Sequence, residues 1–169
     1  MSKNRFIYFV EGETEKLLVN TLKSEMKLIE AGNVKKFNVI QDMLKNSNLI
    51  DVKPNSIAIL IFDTDVSNID ILLKNINFLK KSSVIKDVIC IPQVKNFEDE
   101  LLRACSIKKI TEFINSKSKS DFKNDFLKLQ PKKVKSALEK NKFNINLLWS
   151  CTARGIFENI KNDSHKIKK

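Results

Sequence analysis

The sequence predicts an α/β protein in which a compact parallel sheet of about four strands is flanked by helices. Strand patterns alternate with helical patterns over residues 5–105, and the strand segments are apolar throughout, as strands covered on both faces are. Residues 106–169 have only helical patterns and are rich in lysine, which predicts a basic helical extension packed on the sheet. We expect a single domain over residues 1–169.

Four segments have the pattern of buried strands. Each is short and rich in Ile, Val or Phe, and a turn or a polar stretch follows it. In chain order they are Arg5–Val10, a weaker one within Lys36–Ile40, Ser56–Phe62 and Val84–Pro92.

Apolar residues at helical spacing mark the segments between and after the strands. In the α/β core we expect helices over Glu13–Met26, through Met43 and Leu44, over Ile69–Leu79 and over Phe97–Cys105. In the extension we expect helices over Ile107–Asn115, Asp121–Leu127, Lys132–Lys140 and Ile156–Asn162, and then a frayed basic tail, His165–Lys169.

The positive charge of the chain is concentrated in its last part. Residues 1–100 contain 14 Lys and Arg against 14 Asp and Glu, whereas residues 101–169 contain 17 against 6, so the net charge of +11 belongs to the extension. A base composition poor in G and C raises Lys and Asn everywhere, but it does not explain why acids become rare after residue 100. This asymmetry favours a nucleic-acid partner.

Several classes of protein are disfavoured by composition. No apolar run approaches the roughly 20 residues of a membrane helix, so we expect no membrane partner. The N-terminus lacks the layout of a signal peptide, and the three cysteines are widely separated with no CxxC pair, which predicts a cytoplasmic protein without disulfides or structural zinc. Three glycines in all exclude a P-loop or a dinucleotide fingerprint.

Carboxylates follow two of the clearest strands. Glu11 comes directly after the first strand with Glu15 four residues on, and Asp63 comes directly after the third with Asp65 two residues on. Since ligands bind beyond the carboxyl ends of parallel strands, we expect these acids at one site, where their repulsion favours Mg²⁺ or Mn²⁺. Gly12 is expected to allow a sharp turn and to leave room above the site. Each pair alone has an ordinary explanation, a helix first turn or a strand-end turn.

Three segments carry a family resemblance. The segment VEGETEKLL at Val10–Leu18 resembles the first Toprim motif, in the form found in overcoming-lysogenization-defect nucleases. The segment ILIFDTD at Ile59–Asp65 resembles the Toprim DxD motif. The segment NFEDELL at Asn96–Leu102 is similar to the NPxFExWLL segment of RloB-type Toprim proteins, although its Pro and Trp are missing. The resemblance covers residues 5–105 and implies a Toprim-like sheet.

The resemblance also implies roles for particular residues. It makes Glu11 a metal ligand or a general acid/base, adds Glu15 as the second glutamate of nuclease branches, and makes Asp63 and Asp65 metal ligands. Glu98 is carried over as a further ligand, and two Mg²⁺ or Mn²⁺ ions are expected. Nuclease branches often use a basic residue from the C-terminal helices. The candidates are Lys117, Lys119 and Lys123, of which Lys119 is placed in the catalytic set.

We therefore expect a metal-dependent nuclease, with DNA rather than RNA as its partner and a role in phage defence or DNA repair. Basic residues of the extension are expected to hold phosphates: Lys117, Lys119, Lys123, Lys132, Lys133 and Arg154. A topoisomerase is disfavoured because the only tyrosine, Tyr8, lies inside a strand. A non-catalytic nucleic-acid-binding or regulatory subunit remains the alternative, with a separately encoded ATPase partner; a homodimer is also open.

Overall fold

The computed structural model describes residues 5–169, and its central element is a four-stranded sheet. All three strand pairs are parallel and the strand order is β2-β1-β3-β4. The strands are β1 (Arg5–Val10), β2 (Gly32–Lys36), β3 (Ser56–Asp63) and β4 (Ile85–Gln93). With helices on the sheet's faces, this confirms the predicted α/β class.

Strand β2 begins four residues earlier than the sequence predicts. The apolar residues that suggested a strand at Lys36–Ile40, chiefly Val39 and Ile40, instead lie in the turn after β2 and are buried against the sheet. None of the five residues of β2, an edge strand, is fully buried, which explains its polar sequence. Gly32 starts the strand where a Cβ atom would come within 2.4 Å of the Phe6 carbonyl oxygen, so close pairing with β1 requires glycine.

Within residues 5–169, five α-helices accompany the sheet, and the predicted positions of all five are confirmed within a few residues. They are α1 (Glu13–Asn20), α2 (Asp70–Lys81), α3 (Phe97–Ala104), α4 (Lys119–Leu127) and α5 (Pro131–Lys140). A π-helical turn, Thr21–Glu25, continues α1. The helix predicted through Met43 and Leu44 is wrong: that stretch is a turn, followed by a 3₁₀ turn at Asn46–Leu49.

The helices cover the two faces of the sheet unequally. Apolar residues of α1, α3, α4 and α5 form one core with one set of strand side chains, whereas α2 and the segment after β2 cover the other face. Phe113, Phe122 and Phe126 form an aromatic cluster within the first core, so these residues are core side chains. None of the helices in residues 5–169 is long and apolar enough to cross a membrane.

The C-terminal part is less helical and better ordered than predicted. The segments Ile107–Asn115 and Ile156–Asn162 contain only single 3₁₀ turns, at Ile110–Glu112 and Gly155–Phe157. The tail is not frayed, because Ile167 is fully buried and its carbonyl oxygen accepts a 2.9 Å hydrogen bond from the Glu30 backbone N–H. The tail therefore closes the core beside α1.

The topology brings the ends of β1 and β3 together at a switch point. The chain leaves β1 for β2 on one side, then returns to build β3 and β4 on the other side of β1. Val10 pairs with Ile61. Glu11 comes one residue after Val10 and Asp63 two residues after Ile61, so both acids lie at the same edge of the sheet. Such a crevice, outside the carboxyl ends of diverging strands, is where open α/β sheets bind ligands.

Candidate functional site

Polar side chains from all four strand ends meet at this edge of the sheet. Glu11 follows β1, Asn38 follows β2, Asp63 ends β3 and Gln93 ends β4. Asp63 and Gln93 are the last register partners of β3 and β4, so the parallel ladder itself sets them side by side.

Glu11 is held in place by two hydrogen bonds. The Asn38 side-chain amide donates to Oε1 at 2.9 Å, and the backbone N–H of Asp63 donates to Oε2 at 3.3 Å. One bond comes from β2's end and the other from β3's end. The Glu11 carboxylate therefore bridges the switch point and has a defined orientation.

Asp63 is the most strongly perturbed acid of the site. Burial is the main cause, and the charges of Glu11, Glu15 and Asp65 add to it, so that its pKa is raised from 3.8 to about 8. The Gln93 side-chain amide donates to Asp63 Oδ1 at 2.6 Å, which lowers the pKa but does not offset the burial. At neutral pH this carboxyl group is largely protonated in the folded protein.

Glu15 lies on the first turn of α1 and is almost completely buried. Burial raises its pKa, although the Thr14 hydroxyl donates to Oε2 at 3.0 Å. The chain bends at Glu11 and Gly12, as expected, but the φ of Gly12 is −140°, extended backbone that any residue adopts, so the bend does not depend on glycine. The room it leaves is real, because a Cβ atom there would lie 3.0 Å from Glu15 Oε2.

One lysine of the extension reaches the acids. Lys123 Nζ on α4 lies 3.4 Å from Glu98 Oε1 on α3, and Glu98 is 8% exposed. Burial lowers the pKa of Lys123, but nearby carboxylates, Glu98 first among them, raise it by more, so the net pKa lies above that of an ordinary lysine. Lys123 is thus the predicted basic residue that the structure brings to the acids.

The other predicted site residues lie farther out. Asp65 is exposed beyond the end of β3. Lys119 is exposed at the start of α4, four residues before Lys123, about 6 Å along the axis on the same helical face. The remaining basic residues predicted to hold phosphates are also exposed: Lys117, Lys132, Lys133 and Arg154.

The acids do not close around a common point. In the part of the chain that the structure describes, no three His, Cys, Asp or Glu side chains are arranged so that they could hold a metal ion. Glu11, Glu15 and Asp63 each accept hydrogen bonds from different neighbours. The predicted two-ion site is therefore not preformed in this arrangement.

The donor set nonetheless fits a hard divalent cation. Carboxylate and amide oxygens are the ligands of Mg²⁺ and Mn²⁺, and a cation would favour the ionised form of Asp63, which burial and its acidic neighbours now disfavour. Glu11 and Asp63 are the residues best placed to hold such an ion, since a hydrogen bond from the Asp63 backbone to Glu11 joins them.

Sequence reasoning missed four residues around the site: Asn38, Gln93, Glu100 and Trp149. Gln93 could have been found, because it directly follows the predicted fourth strand. Asn38 was hidden by the misplaced second strand, which put it in mid-strand. Glu100 is fully buried, where its carboxylate accepts hydrogen bonds from the Val94 N–H at 2.9 Å and the Trp149 N–H at 2.8 Å.

Glu100 therefore stabilises the turn between β4 and α3 and is no candidate ligand, although it adjoins Glu98 in the sequence. The Arg103 guanidinium lies 3.0 Å from its Oε1 and compensates its charge.

In comparisons with known proteins, no family model, no curated protein and no solved structure matches the chain.

Proposed function

We propose that the protein is a divalent-metal-dependent phosphodiesterase that hydrolyses nucleic-acid phosphodiester bonds, of the Toprim nuclease type that its motifs resemble. The observation that carries the proposal is the group of acids at the switch point, where a hydrogen bond joins the Asp63 backbone to Glu11 and where burial and acidic neighbours raise the pKa of Asp63 to about 8. An acid held at such a cost to stability, in the crevice where this fold binds ligands, is characteristic of a functional site.

Mg²⁺ or Mn²⁺ is the proposed cofactor, with two ions as the motifs imply. Such ions supply an activated water and stabilise the leaving oxygen of an in-line attack. Glu11 and Asp63 would hold the first ion. Glu15 and Asp65 are the proposed further ligands, and Glu98 is another if Lys123 releases it.

The basic extension is proposed to bind the nucleic acid. Lys123 already lies among the acids, and Lys119 is on the same face of α4, which packs against α1 next to Glu15. A phosphate approaching the site would meet these ammonium groups first. We propose DNA as the substrate, with Lys117, Lys132, Lys133 and Arg154 on flanking phosphates.

The cellular setting follows from the same resemblance. We propose a role in phage defence or DNA repair in the cytoplasm, where the three cysteines, all free, stay reduced. A separately encoded ATPase and a second copy of the chain are the proposed partners. These settings rest on fold-level analogy, whereas the chemistry rests on the site.

A second function is favoured by a specific observation. The acids do not converge within residues 5–169, and Lys123 neutralises Glu98. This arrangement suits a subunit that binds nucleic acid without cleaving it, or that becomes active only when a partner rearranges the site. The two functions differ in whether the isolated chain cleaves nucleic acid.

Cleavage assays distinguish them. Plasmid, linear and single-stranded DNA and RNA are incubated with the protein and Mg²⁺, Mn²⁺ or EDTA. We expect metal-dependent cleavage that Asp63→Ala lowers at least about 100-fold, since loss of an outer-shell partner alone can cost that much. The control is Asp87→Ala, an exposed acid in the first half of β4, away from the carboxyl edge. No cleavage in any condition, with nucleic-acid binding intact, supports the non-catalytic subunit.

A further inference from the structure

Two buried side chains link the extension to Asp63. The Trp149 indole N–H donates to Gln93 Oε1 at 3.3 Å, and Gln93 Nε2 donates to Asp63 Oδ1 at 2.6 Å. Gln93 and Trp149 are each 1% exposed, so water does not compete for the bond between them, and Asp63 at the end of this hydrogen-bond chain is half-buried. Gln93 and Trp149 are 56 residues apart in the sequence, and only the fold joins them.

The chemistry of the indole determines how the Gln93 amide faces. An indole N–H can only donate, so the amide atom next to it must be the oxygen. The amide nitrogen then points to Asp63, where it can only donate to a carboxyl oxygen. The Gln93 backbone is fixed as well, because its carbonyl oxygen accepts from both the N–H and the hydroxyl of Thr64, at 3.2 and 3.0 Å.

Trp149 is itself held firmly. Its backbone N–H donates to the buried Glu100 carboxylate at 2.8 Å. Its carbonyl oxygen accepts from the Asn162 side-chain amide and the Ser164 hydroxyl, both at 2.9 Å. Its φ of 53° is unusual for a bulky residue, and a surrounding network of this kind is what maintains it. The C-terminal segment thereby fixes the position of the indole.

We propose that Gln93 and Trp149 are positioning residues of the metal site. Trp149 sets the orientation of the Gln93 amide, and the amide holds Oδ1 of Asp63 so that Oδ2 remains for a cation. Among the described residues, Oδ2 accepts no hydrogen bond, which agrees with this division of the two oxygens. The inference rests on the proposed function, since it takes Asp63 as a ligand. It also explains why the extension belongs to the site: it supplies Trp149.

The test measures Mn²⁺ affinity by titration calorimetry with MnCl₂, without any nucleic acid. Gln93→Met keeps the length of the side chain and removes the donor, and Trp149→Phe keeps an aromatic ring and removes the indole N–H. We expect Gln93→Met to weaken Mn²⁺ binding between about 10-fold and 100-fold, and Trp149→Phe to weaken it about 10-fold. Gln130→Met, at an exposed glutamine, is the matched control and should bind as the wild type does.

The double variant separates positioning from packing. If Trp149 acts through the Gln93 amide, Trp149→Phe adds no further loss of Mn²⁺ affinity in the Gln93→Met background. A general packing defect would add its full effect in both backgrounds, which would overturn the proposed relay. Unfolding by urea confirms that each variant is folded at the titration temperature. If Trp149→Phe does not fold, the Mn²⁺ affinity of Gln93→Met compared with that of Gln130→Met still tests whether the Gln93 amide supports metal binding.

The outcomes for the two proposals are distinguishable. If Gln93→Met binds Mn²⁺ as tightly as the wild type does, the positioning role of Gln93 and Trp149 is overturned, and the proposed metal site is unaffected. Wild-type protein that binds no Mn²⁺ overturns the metal site, and with it the role assigned to Gln93 and Trp149.

Discussion

Replacing Asp63 by asparagine should stabilise the metal-free protein, and more so as the pH rises. Asparagine keeps an oxygen that can accept the hydrogen bond from Gln93, and it cannot ionise. It therefore mimics the protonated Asp63 that the folded protein prefers. The variant removes only the cost of ionising a carboxyl group in this buried, acidic place.

The magnitude follows from the pKa. Asp63 titrates near 3.8 in the unfolded chain and at about 8 in the folded protein. Between these values the folded state binds one more proton than the unfolded state, so wild-type stability falls by about 1.4 kcal/mol per pH unit as the pH rises. The cost is absent below the lower pKa, is about 4 kcal/mol at pH 7, and reaches a plateau above pH 8.

The assay is urea unfolding in EDTA at pH 5, 7 and 9 for the wild type, Asp63→Asn and the control Asp87→Asn, which changes an exposed acid in the first half of β4. We expect the stability advantage of Asp63→Asn over the wild type to grow by at least about 1 kcal/mol from pH 5 to pH 9. Mg²⁺ should shrink that advantage, since a ligand at 100 times its Kd stabilises the protein that binds it by about 2.7 kcal/mol. An advantage that does not change with pH would refute the reasoning, as would a less stable Asp63→Asn.

Three further predictions concern the surroundings of Asp63. Gly12→Ala should weaken Mn²⁺ binding, measured by calorimetry, because the new Cβ atom at position 12 would approach Glu15 Oε2 to 3.0 Å and displace that carboxylate. The free energy of unfolding in urea should change by no more than about 1 kcal/mol. An unchanged Mn²⁺ affinity would contradict this prediction. Glu100→Gln should lower the free energy of unfolding in urea by about 3 kcal/mol, because Arg103 then lacks its buried charged partner. The control Glu158→Gln, at an exposed glutamate, should leave the free energy of unfolding almost unchanged. Ile167→Ala should cost at least about 2 kcal/mol in the same assay, and no loss would show that the tail does not stabilise the core.

The site residues that the sequence predicts, Glu11 and Asp63, lie where the local pattern of apolar residues determines the structure. Ser56–Phe62 is apolar at every position except its first, so the strand had to be buried and had to end near Asp63. The same holds for Arg5–Val10 and Glu11. Since all strands are parallel, strand ends alone were enough to bring these acids to one edge.

The rest of the site depends on contacts that no local pattern encodes. Val39 and Ile40 resemble strand residues, yet they are buried from a turn, and this moved the predicted β2 and hid the contact of Asn38 with Glu11. Trp149 reads as a core residue, which it is, but its indole N–H finds Gln93 only through tertiary packing. The hydrogen-bond partners of the acids likewise come from tertiary structure, and so the open arrangement of the carboxylates could not be predicted.

The most direct measurement is a crystal structure of the protein soaked in MnCl₂, with anomalous diffraction recorded to locate the metal. The account predicts an anomalous peak within about 2.5 Å of carboxylate oxygens of Glu11 and Asp63, with the Gln93 amide still on the other Asp63 oxygen. Soaked crystals of Asp63→Asn should lose the peak. Manganese found only elsewhere on the wild-type surface, or not at all, would contradict the central claim that this sheet edge is a metal site.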